Sequence, residues 1–389
     1  MDPYVNPFSP GAGSQPPELA GRDAILEKAK IALVRIRSRR SSKSLILQGL
    51  RGVGKTVLLN RIADAAQNQN FKAVIIEASE NKPLPALLIP HLRQILFSLD
   101  AKENASEKVK RGLRVLRSFV SGLKAKVGDV EIGYGETEPG TGDSGDLEVD
   151  LGEMFLAIGE AAADRGTGVS ICVDELQYLS ETEFSALIMA VHKISQKNLP
   201  VILVGAGLPQ IVGLAGRAKS YAERLFDYPE VGSLTPDDAR NALQSPVQNQ
   251  NVTFSDDALD EIIRETQGYP YFLQEWGHQS WNMATRSPIT LETVQAATKS
   301  AIINLDQSFF RVRFDRLTPR EKNYLRALAI SGAGTQRSGE IADKLGVKVQ
   351  SVAPHRSSLI KKGMIYSPAH GDTAFTVPLF DAFMRRMMP

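Results

Sequence analysis

One stretch limits the fold of this chain more than any other: LQGLRGVGKTVLLNRI, which begins at Leu47. Its centre, Gly49 to Thr56, fits the phosphate-binding pattern G-x-x-x-x-G-K-[ST] at every fixed position. The pattern lies between a short apolar strand, SLILQ, and a helix, KTVLLNRIADAAQN. In that context the N–H groups of the loop and the helix N-terminus together form an anion cradle. The sequence therefore predicts that this chain binds a nucleoside triphosphate.

Three further apolar, β-rich runs indicate the fold around this loop. They are FKAVIIEAS, GVSICVDE and LPVILVGAG, and helical patterns separate them. Strands that alternate with helices are typical of a parallel sheet covered on both faces. The sequence predicts an α/β fold, a P-loop NTPase core with a parallel sheet, followed by a helical lid and a C-terminal winged helix-turn-helix domain.

A Mg-triphosphate site also needs a metal ligand and a group that orients water. Lys55 would neutralise the β- and γ-phosphates, and the Thr56 hydroxyl would bind Mg²⁺. Asp174 and Glu175 follow a buried strand about 120 residues later. We predict that Asp174 is a second metal ligand and that Glu175 orients the attacking water. The alternative is that these two acids only cap the next helix.

Composition limits the class of protein. At 389 residues, 42% hydrophobic and 23% charged, the chain suits two or three soluble globular units. It contains no apolar run of about 18 residues and no signal-peptide pattern, so a cytoplasmic location is expected. Cys172 is the single cysteine and lies in an apolar run, which predicts a buried thiol. Disulfides and cysteine-based zinc sites within one chain are excluded.

Composition shifts predict four segments. They are an extended N-terminal arm (1–16), the P-loop domain (17–232), a helical lid (233–314) and the C-terminal domain (315–389). The P-loop domain carries a charged insertion at about 102–150, with eight Lys/Arg in 102–126 and nine acids in 127–153. This insertion is either a solvated helix followed by a Gly-rich excursion, with a small hairpin at KVGDVEIGYG, or a regulatory segment. In the lid, Ser255 is a predicted N-cap and Gly268-Tyr269-Pro270 a predicted break between two helices.

The C-terminal segment is the basic part of the chain, with 12 Lys/Arg against 6 Asp/Glu from Asp315 onward. Thr318 and Pro319 predict a helix start. A helix, a turn at Gly346, a second helix over Val349 to Lys362 and a hairpin around His370 then predict a winged helix-turn-helix. The apolar positions expected inside this fold are Ile341, Leu345, Val347, Val352, Leu359 and Ile365.

The sequence leaves two functions of the winged helix open. Double-stranded DNA binding of modest specificity is one, and a docking or autoinhibitory domain is the other. The sequence predicts that Pro354 interrupts the recognition helix and that the side chains able to reach bases are short or neutral. The DNA-binding candidates are Lys348, Gln350, Ser351, Arg356, Lys361 and Lys362.

These residues together resemble the AAA+ ATPases and their relatives, in particular the clade of origin-recognition-like ATPases and STAND signalling NTPases. The resemblance covers nearly the whole chain and implies ATP and Mg²⁺ as ligands. It places PPELAGRD beside the adenine. It also implies an arginine finger from a neighbouring subunit in ATP-dependent oligomers, with Arg224 as first choice, Arg217 as second and a plain salt bridge as the alternative. The implied nucleotide contacts are Leu19, Gly21, Arg22, Gly49, Arg51, Gly52, Val53, Gly54, Lys55, Thr56, Val57 and Pro270.

Two departures from the family pattern affect the expected activity. Gly205-Ala206-Gly207 stands where AAA+ enzymes usually place a polar sensor, and Gly268-Tyr269-Pro270 stands where many carry a sensor arginine. The Gly-x-Pro resembles the STAND arrangement, in which the proline packs near the base, and Gln177 is a candidate substitute sensor. The expected activity is slow ATP hydrolysis that governs DNA association; the alternative is an ATP/ADP switch that opens to an unknown protein partner.

Overall fold

The computed structural model describes residues 1–11, 16–100, 106–127, 137–332, 334–369 and 371–389, without the side chains of 123–127. It divides into two compact units. The α/β unit comprises Asp23–Gln48 and Lys55–Glu230. The helical unit comprises Met1–Arg22, Gly49–Gly54 and Val231–Pro389. One of the four boundaries along the chain therefore falls inside the glycine loop, between Gly54 and Lys55.

A parallel five-stranded sheet with the order β2-β3-β4-β1-β5 forms the centre of the α/β unit. Its strands are β1 (Ser44–Gln48), β2 (Phe71–Glu77), β3 (Gly168–Asp174), β4 (Val201–Gly207) and β5 (Phe226–Asp227). The first four strands confirm the prediction that each of the four apolar runs forms a strand. The two residues of β5 are too few to show a hydrophobic period. Both β3 and β4 are buried along their whole length, as expected for central strands of a sheet covered on both faces.

Eight helices of the α/β unit lie within its described residues. They are α1 (Asp23–Arg37), α2 (Lys55–Asn68), α3 (Leu84–Asp100), α4 (Glu107–Val127), α5 (Leu147–Asp164), α6 (Glu181–Gln196), α7 (Ile211–Ala218) and α8 (Ala222–Leu225). Helix α2 begins at Lys55, the residue that follows the last glycine of the loop, as the motif predicts. Cys172 is fully buried in β3, and burial raises the pKa of its thiol to about 12.

The charged insertion contributes to the core of the α/β unit and is not simply a solvated helix. Helix α4 buries Val109, Leu116 and Phe119. On its polar side Arg111 pairs with Glu138 and with Glu160, both at 3.0 Å. The basic and acidic halves of the segment thus neutralise each other in part. The predicted hairpin lies almost entirely outside the described residues.

The lid of the helical unit confirms the predicted break. Its helices are α9 (Pro236–Gln248), α10 (Asp256–Thr266), α11 (Pro270–Met283) and α12 (Leu291–Asn304), followed by a π-helical turn (Leu305–Phe310) and α13 (Arg311–Asp315). Pro270 is the first residue of α11, where its missing N–H costs no hydrogen bond. Phe8 of the N-terminal arm is 2% exposed and makes an edge contact with Phe254, so this part of the arm is packed.

The C-terminal elements are consistent with the predicted winged helix. They are α14 (Pro319–Ile330), β6 (Gln336–Arg337), α15 (Ser338–Leu345), α16 (Val349–Lys361), β7 (Ile365–Tyr366), β8 (Asp372–Phe375) and α17 (Phe380–Met387). The three strands form an antiparallel sheet with the order β6-β8-β7. Thr318 and Glu321 form a capping box at the start of α14. His370, at the predicted hairpin turn, lies outside the described residues.

Two sequence expectations about this domain were wrong. Pro354 does not interrupt the recognition helix, because α16 continues from Val349 to Lys361. Pro354 is exposed, so water can bind the carbonyl that loses its helical partner. Val347, expected inside, is 44% exposed. Among the described residues, no helix is both long enough and apolar enough to cross a membrane.

Candidate nucleotide-binding site

The two predicted metal ligands, Thr56 and Asp174, meet within the α/β unit. The Thr56 hydroxyl donates a hydrogen bond of 2.5 Å to Asp174 Oδ2. Asp174 is 6% exposed at the end of β3, and Lys55 is 8% exposed at the start of α2. Burial raises the pKa of Asp174, while the hydrogen bonds from Thr56 and from the backbone of Glu175 act in the opposite direction. A cation near this carboxylate would relieve its desolvation.

Glu175 occupies an unusual backbone conformation beside this pair. Its φ is 53° and its ψ 39°, in the left-handed region that non-glycine residues seldom adopt. Its N–H donates to Asp174 Oδ1 at 2.8 Å. Gln177 donates through Nε2 to Glu175 Oε2 and accepts at Oε1 from the N–H of Leu208, at 3.0 Å. The side chain of Gln177 therefore connects Glu175 to the chain that follows β4.

The glycine-loop segment of the helical unit is fixed by backbone hydrogen bonds to distant parts of the chain. The Arg51 N–H donates to the carbonyl of Thr376 at 3.3 Å, and the Gly52 carbonyl accepts from the N–H of Tyr271 at 3.2 Å. The missing Cβ of Gly49 would lie 2.1 Å from the carbonyl oxygen of Val231. Any larger residue at the first position of the motif would therefore clash with backbone.

The later glycines of the loop have different surroundings. Gly52 and Gly54 have φ values of +82° and +92°, which favour glycine. A Cβ at Gly54 would meet nothing within 4 Å, so this side of the loop is open to an approaching group. A Cβ at Gly52 would instead lie 3.1 Å from the ring of Tyr269.

The predicted adenine-bordering segment also contacts the loop. Arg22 is 8% exposed and donates through Nη2 to the carbonyls of Val53, at 3.3 Å, and of Gly232. Burial lowers the pKa of Arg22, and the nearby carboxylate of Asp238 opposes this effect. Arg22 thus braces the loop through its carbonyls. Leu19 and Pro270 are half-buried in the helical unit, Gly21 has a left-handed φ of +68°, and Val57 is 7% exposed in the α/β unit.

The donor set fits Mg²⁺ that arrives with a triphosphate. This ion is usually held by one or two carboxylates, substrate phosphates and water. Thr56 and Asp174 supply one hydroxyl and one carboxylate, and Lys55 supplies a cation for the phosphates. Within the described ranges, no group of three or more His, Cys, Asp and Glu side chains could hold a metal ion by itself. The residues therefore fit a nucleotide-borne Mg²⁺ better than an independent metal centre.

Two family models match the chain. Residues 18–204 match the AAA ATPase domain, and residues 307–384 match a domain of unknown function, DUF8462. The first match contains the glycine loop, Asp174 and Glu175. Residues 18–204 therefore belong to the AAA+ P-loop ATPases.

Solved structures show the same fold over nearly the whole of this AAA+ chain. A Walker-type ATPase of Pyrococcus abyssi is 17% identical, with a TM-score of 0.59, and the match covers 94% of this chain and 96% of that one. The ORC1 protein of Aeropyrum pernix, determined in complex with DNA, is 15% identical, with a TM-score of 0.50 and coverages of 100% and 97%. No curated protein matches this AAA+ chain in sequence.

The arginine-finger candidates of this AAA+ protein are both exposed. Arg224 lies in α8, and Arg217 lies in the last turn of α7. Within the described part of the chain, neither forms an ion pair, so the salt-bridge alternative for Arg224 finds no support there. The role of an arginine finger stays a prediction.

The DNA-binding candidates of the AAA+ chain fall into two groups. Lys348, Gln350, Ser351 and Lys361 are exposed. Arg356 is instead used within the domain: it donates to Thr373 Oγ1 at 2.9 Å and to the carbonyl of Asp372 at 2.7 Å, and so braces strand β8. Lys362 donates to Glu321 Oε2 at 2.8 Å. Arg356 and Lys362 thus both donate hydrogen bonds within the C-terminal domain.

Two residues that contact the loop were not singled out by sequence reasoning, and both lie in the helical unit: Tyr269 and Thr376. Tyr269 lies beside Pro270 in the Gly-Tyr-Pro motif, which is a usable signal. Thr376 has no motif around it and is distant from the loop in sequence, so local patterns could not reveal it.

Proposed function

We propose that this AAA+ protein binds Mg-ATP at Gly49–Thr56, hydrolyses it, and uses the nucleotide state to control the association of its C-terminal domain with duplex DNA. The observation that carries the nucleotide part is the 2.5 Å hydrogen bond between Thr56 and Asp174, with the buried Lys55 beside it. A hydroxyl, a carboxylate and an ammonium group in this arrangement are the parts that a triphosphate and its metal need.

Each of these residues has a separate task in hydrolysis. Lys55 neutralises charge on the β- and γ-phosphates. Thr56 and Asp174 would hold Mg²⁺, which when bound would supply electrostatic stabilisation of the transferred phosphoryl group. Glu175 orients the attacking water, and Gln177 fixes the direction of the Glu175 carboxylate. Catalysis in this reaction class comes mainly from positioning and electrostatics.

A hydrogen bond within the helical unit supports coupling between nucleotide and C-terminal domain. The N–H of Arg51, inside the phosphate loop, donates to the carbonyl of Thr376, which directly follows strand β8. A rearrangement of the loop on nucleotide binding would therefore reach the winged-helix segment through one backbone contact.

A second candidate function is a nucleotide switch whose C-terminal domain docks a protein partner. It is favoured by the hydrogen bonds that Arg356 and Lys362 donate within the domain, because these compete with hydrogen bonds to DNA phosphates. The exposed Pro354 in the recognition helix also places a non-hydrogen-bonding ring on the face that would enter a groove.

Two variants test the nucleotide part. Lys55→Ala should abolish tight ATP binding, because it removes the cation that compensates the phosphates. Glu175→Gln should keep ATP binding and slow turnover by a factor of at least about 100, since it retains the shape but loses the charge that orients water. Calorimetry measures ATP binding, and the release of inorganic phosphate measures turnover. An unchanged turnover in Glu175→Gln would remove this residue from its assigned role.

Duplex DNA binding with ATP and with ADP separates the two candidate functions. We expect affinity to fall steeply with salt and to differ between the two nucleotides. Each cation that neutralises a phosphate contributes about 0.9 to the slope of log affinity against log salt. The double variant Lys348→Ala, Lys361→Ala should therefore flatten the slope by up to about 2, while the exposed lid residue Lys299, changed to Ala, serves as the charge control. No duplex binding at about 50 mM salt would favour the docking function.

A further inference from the structure

Residues 28–43 form a basic surface on the α/β unit. They comprise most of α1 and the loop that leads to β1, and they contain seven Lys/Arg and no Asp/Glu. All seven cations are exposed: Lys28, Lys30, Arg35, Arg37, Arg39, Arg40 and Lys43. Among the described residues, two carboxylates pair with this surface. Asp227 lies 3.5 Å from Lys28 and 3.7 Å from Lys43, and Glu27 lies 3.9 Å from Lys30. The basic surface therefore keeps an excess of five positive charges.

Two exposed apolar side chains lie among these cations on α1. Ile31 is 51% exposed and Val34 is 44% exposed. They are three residues apart and so share one face of the helix. The opposite face is buried in the α/β unit through Ala29, Ala32, Leu33 and Ile36. Helical spacing places cations along both sides of the apolar pair, with Lys30 and Arg37 on one side and Lys28 and Arg35 on the other. An apolar pair between two rows of cations is typical of a helix that lies on an anionic membrane surface.

The loop after α1 is held in a defined shape and adds a site for a phosphate group. Arg35 donates through Nε and Nη2 to the Ser41 carbonyl, at 3.1 Å and 3.0 Å. With the end of α6, this loop lines a pocket whose polar residues include no carboxylate: Arg40, Ser41, Ser42, Ser44, Ser195 and Asn198. Hydroxyl and guanidinium donors suit a phosphate group. The carbonyls at the ends of α1 and α6 oppose an anion with only about half a charge each, less than the excess of cations beside them.

We propose that this basic surface docks the protein on membranes that contain anionic phospholipids. Ile31 and Val34 enter the headgroup layer, while the arginines beside them and the pocket at Arg40 hold lipid phosphates. Duplex DNA also offers phosphates, but its backbone has no apolar layer for Ile31 and Val34, so the apolar pair favours lipid. Membrane docking of this kind goes beyond the proposed function and depends neither on nucleotide binding nor on the C-terminal domain.

Vesicle flotation of the full chain tests this proposal. The protein should float with vesicles of phosphatidylcholine that contain about 30% phosphatidylglycerol, stay unbound with phosphatidylcholine alone, and lose binding as salt is added. The double variant Arg37→Gln, Arg40→Gln should bind anionic vesicles about 25-fold more weakly, because each cation at such a surface contributes about fivefold. The double variant Ile31→Ser, Val34→Ser should bind about tenfold more weakly, because its side chains no longer gain from leaving water.

The matched control is the double variant Lys82→Gln, Lys299→Gln, which removes two exposed cations elsewhere on the chain. It should bind anionic vesicles like the parent. All six side chains are exposed, so each variant should melt with the parent. The proposal is overturned if the parent does not float with anionic vesicles, or if the control loses as much binding as the arginine variant. It is also overturned if the Ile31→Ser, Val34→Ser variant binds like the parent. Loss of duplex DNA affinity alone in the arginine variant would assign the basic surface to nucleic acid instead.

Discussion

Replacing Gly363 with alanine perturbs the contact between the phosphate loop and the C-terminal domain. Gly363 follows α16 with a φ of +64°, and its carbonyl accepts a 2.6 Å hydrogen bond from the Thr376 hydroxyl. An added Cβ would lie 2.6 Å from Nη2 and 2.9 Å from Nε of Arg51. Atoms cannot stay at these distances, so the Arg51 guanidinium must move.

The chain offers a matched control at the end of the preceding helix. Gly346 follows α15 with a φ of +65°, and a Cβ there would meet nothing within 4 Å. Alanine in the left-handed conformation costs about 1–2 kcal/mol relative to glycine. Both variants should therefore lose about 1–2 kcal/mol of unfolding free energy in urea. They should agree within about 0.5 kcal/mol, because the end of an arginine side chain is flexible enough to yield.

Only Gly363→Ala should change nucleotide binding. Arg51 is a residue of the phosphate loop itself, so moving its guanidinium should disturb the loop and the positive charge it offers to ATP; we expect a loss of about 1 kcal/mol, or about fivefold in the dissociation constant of ATP. Titration calorimetry of both glycine variants with a non-hydrolysable ATP analogue measures this difference. Equal ATP affinity in the two variants would show that the position of the Arg51 side chain does not influence the phosphate loop, and the coupling argument would be refuted.

Two further predictions concern assembly and acid stability. If Arg224 reaches the γ-phosphate of a neighbouring subunit, Arg224→Ala should bind ATP normally but lose turnover, and the specific activity of the parent should rise with protein concentration; a constant specific activity would contradict this. Glu321 is buried, which raises its pKa, but hydrogen bonds from Lys362, Ser358 and Thr318 outweigh burial and lower it to about 2. Because this pKa is lowered from 4.5, the ionised Glu321 contributes stability above about pH 4.5 that is lost as the pH falls toward 2. Glu321→Gln should therefore show a smaller decrease in urea midpoint between pH 5 and pH 3 than the parent, and an equal decrease would remove Glu321 as the cause.

Local patterns in the sequence determined much of the framework. The glycine loop, the four long strands and the start of α2 follow from short-range rules about glycine, apolar runs and helix N-termini. The break before Pro270 and the helix start at Thr318 follow in the same way. Such features depend on neighbours a few residues apart, and this is why one sequence is enough to place them.

Contacts between distant residues were decided by the tertiary structure. Arg356 has the charge of a phosphate-binding residue, but the fold directs it to β8; Pro354 has the chemistry of a helix breaker, but its exposed position lets α16 continue. The contact of the Tyr269 ring with Gly52 and the hydrogen bond from Arg51 to Thr376 likewise join segments far apart in the chain. Charge and propensity are properties of single residues, whereas partners and burial depend on how the whole chain packs.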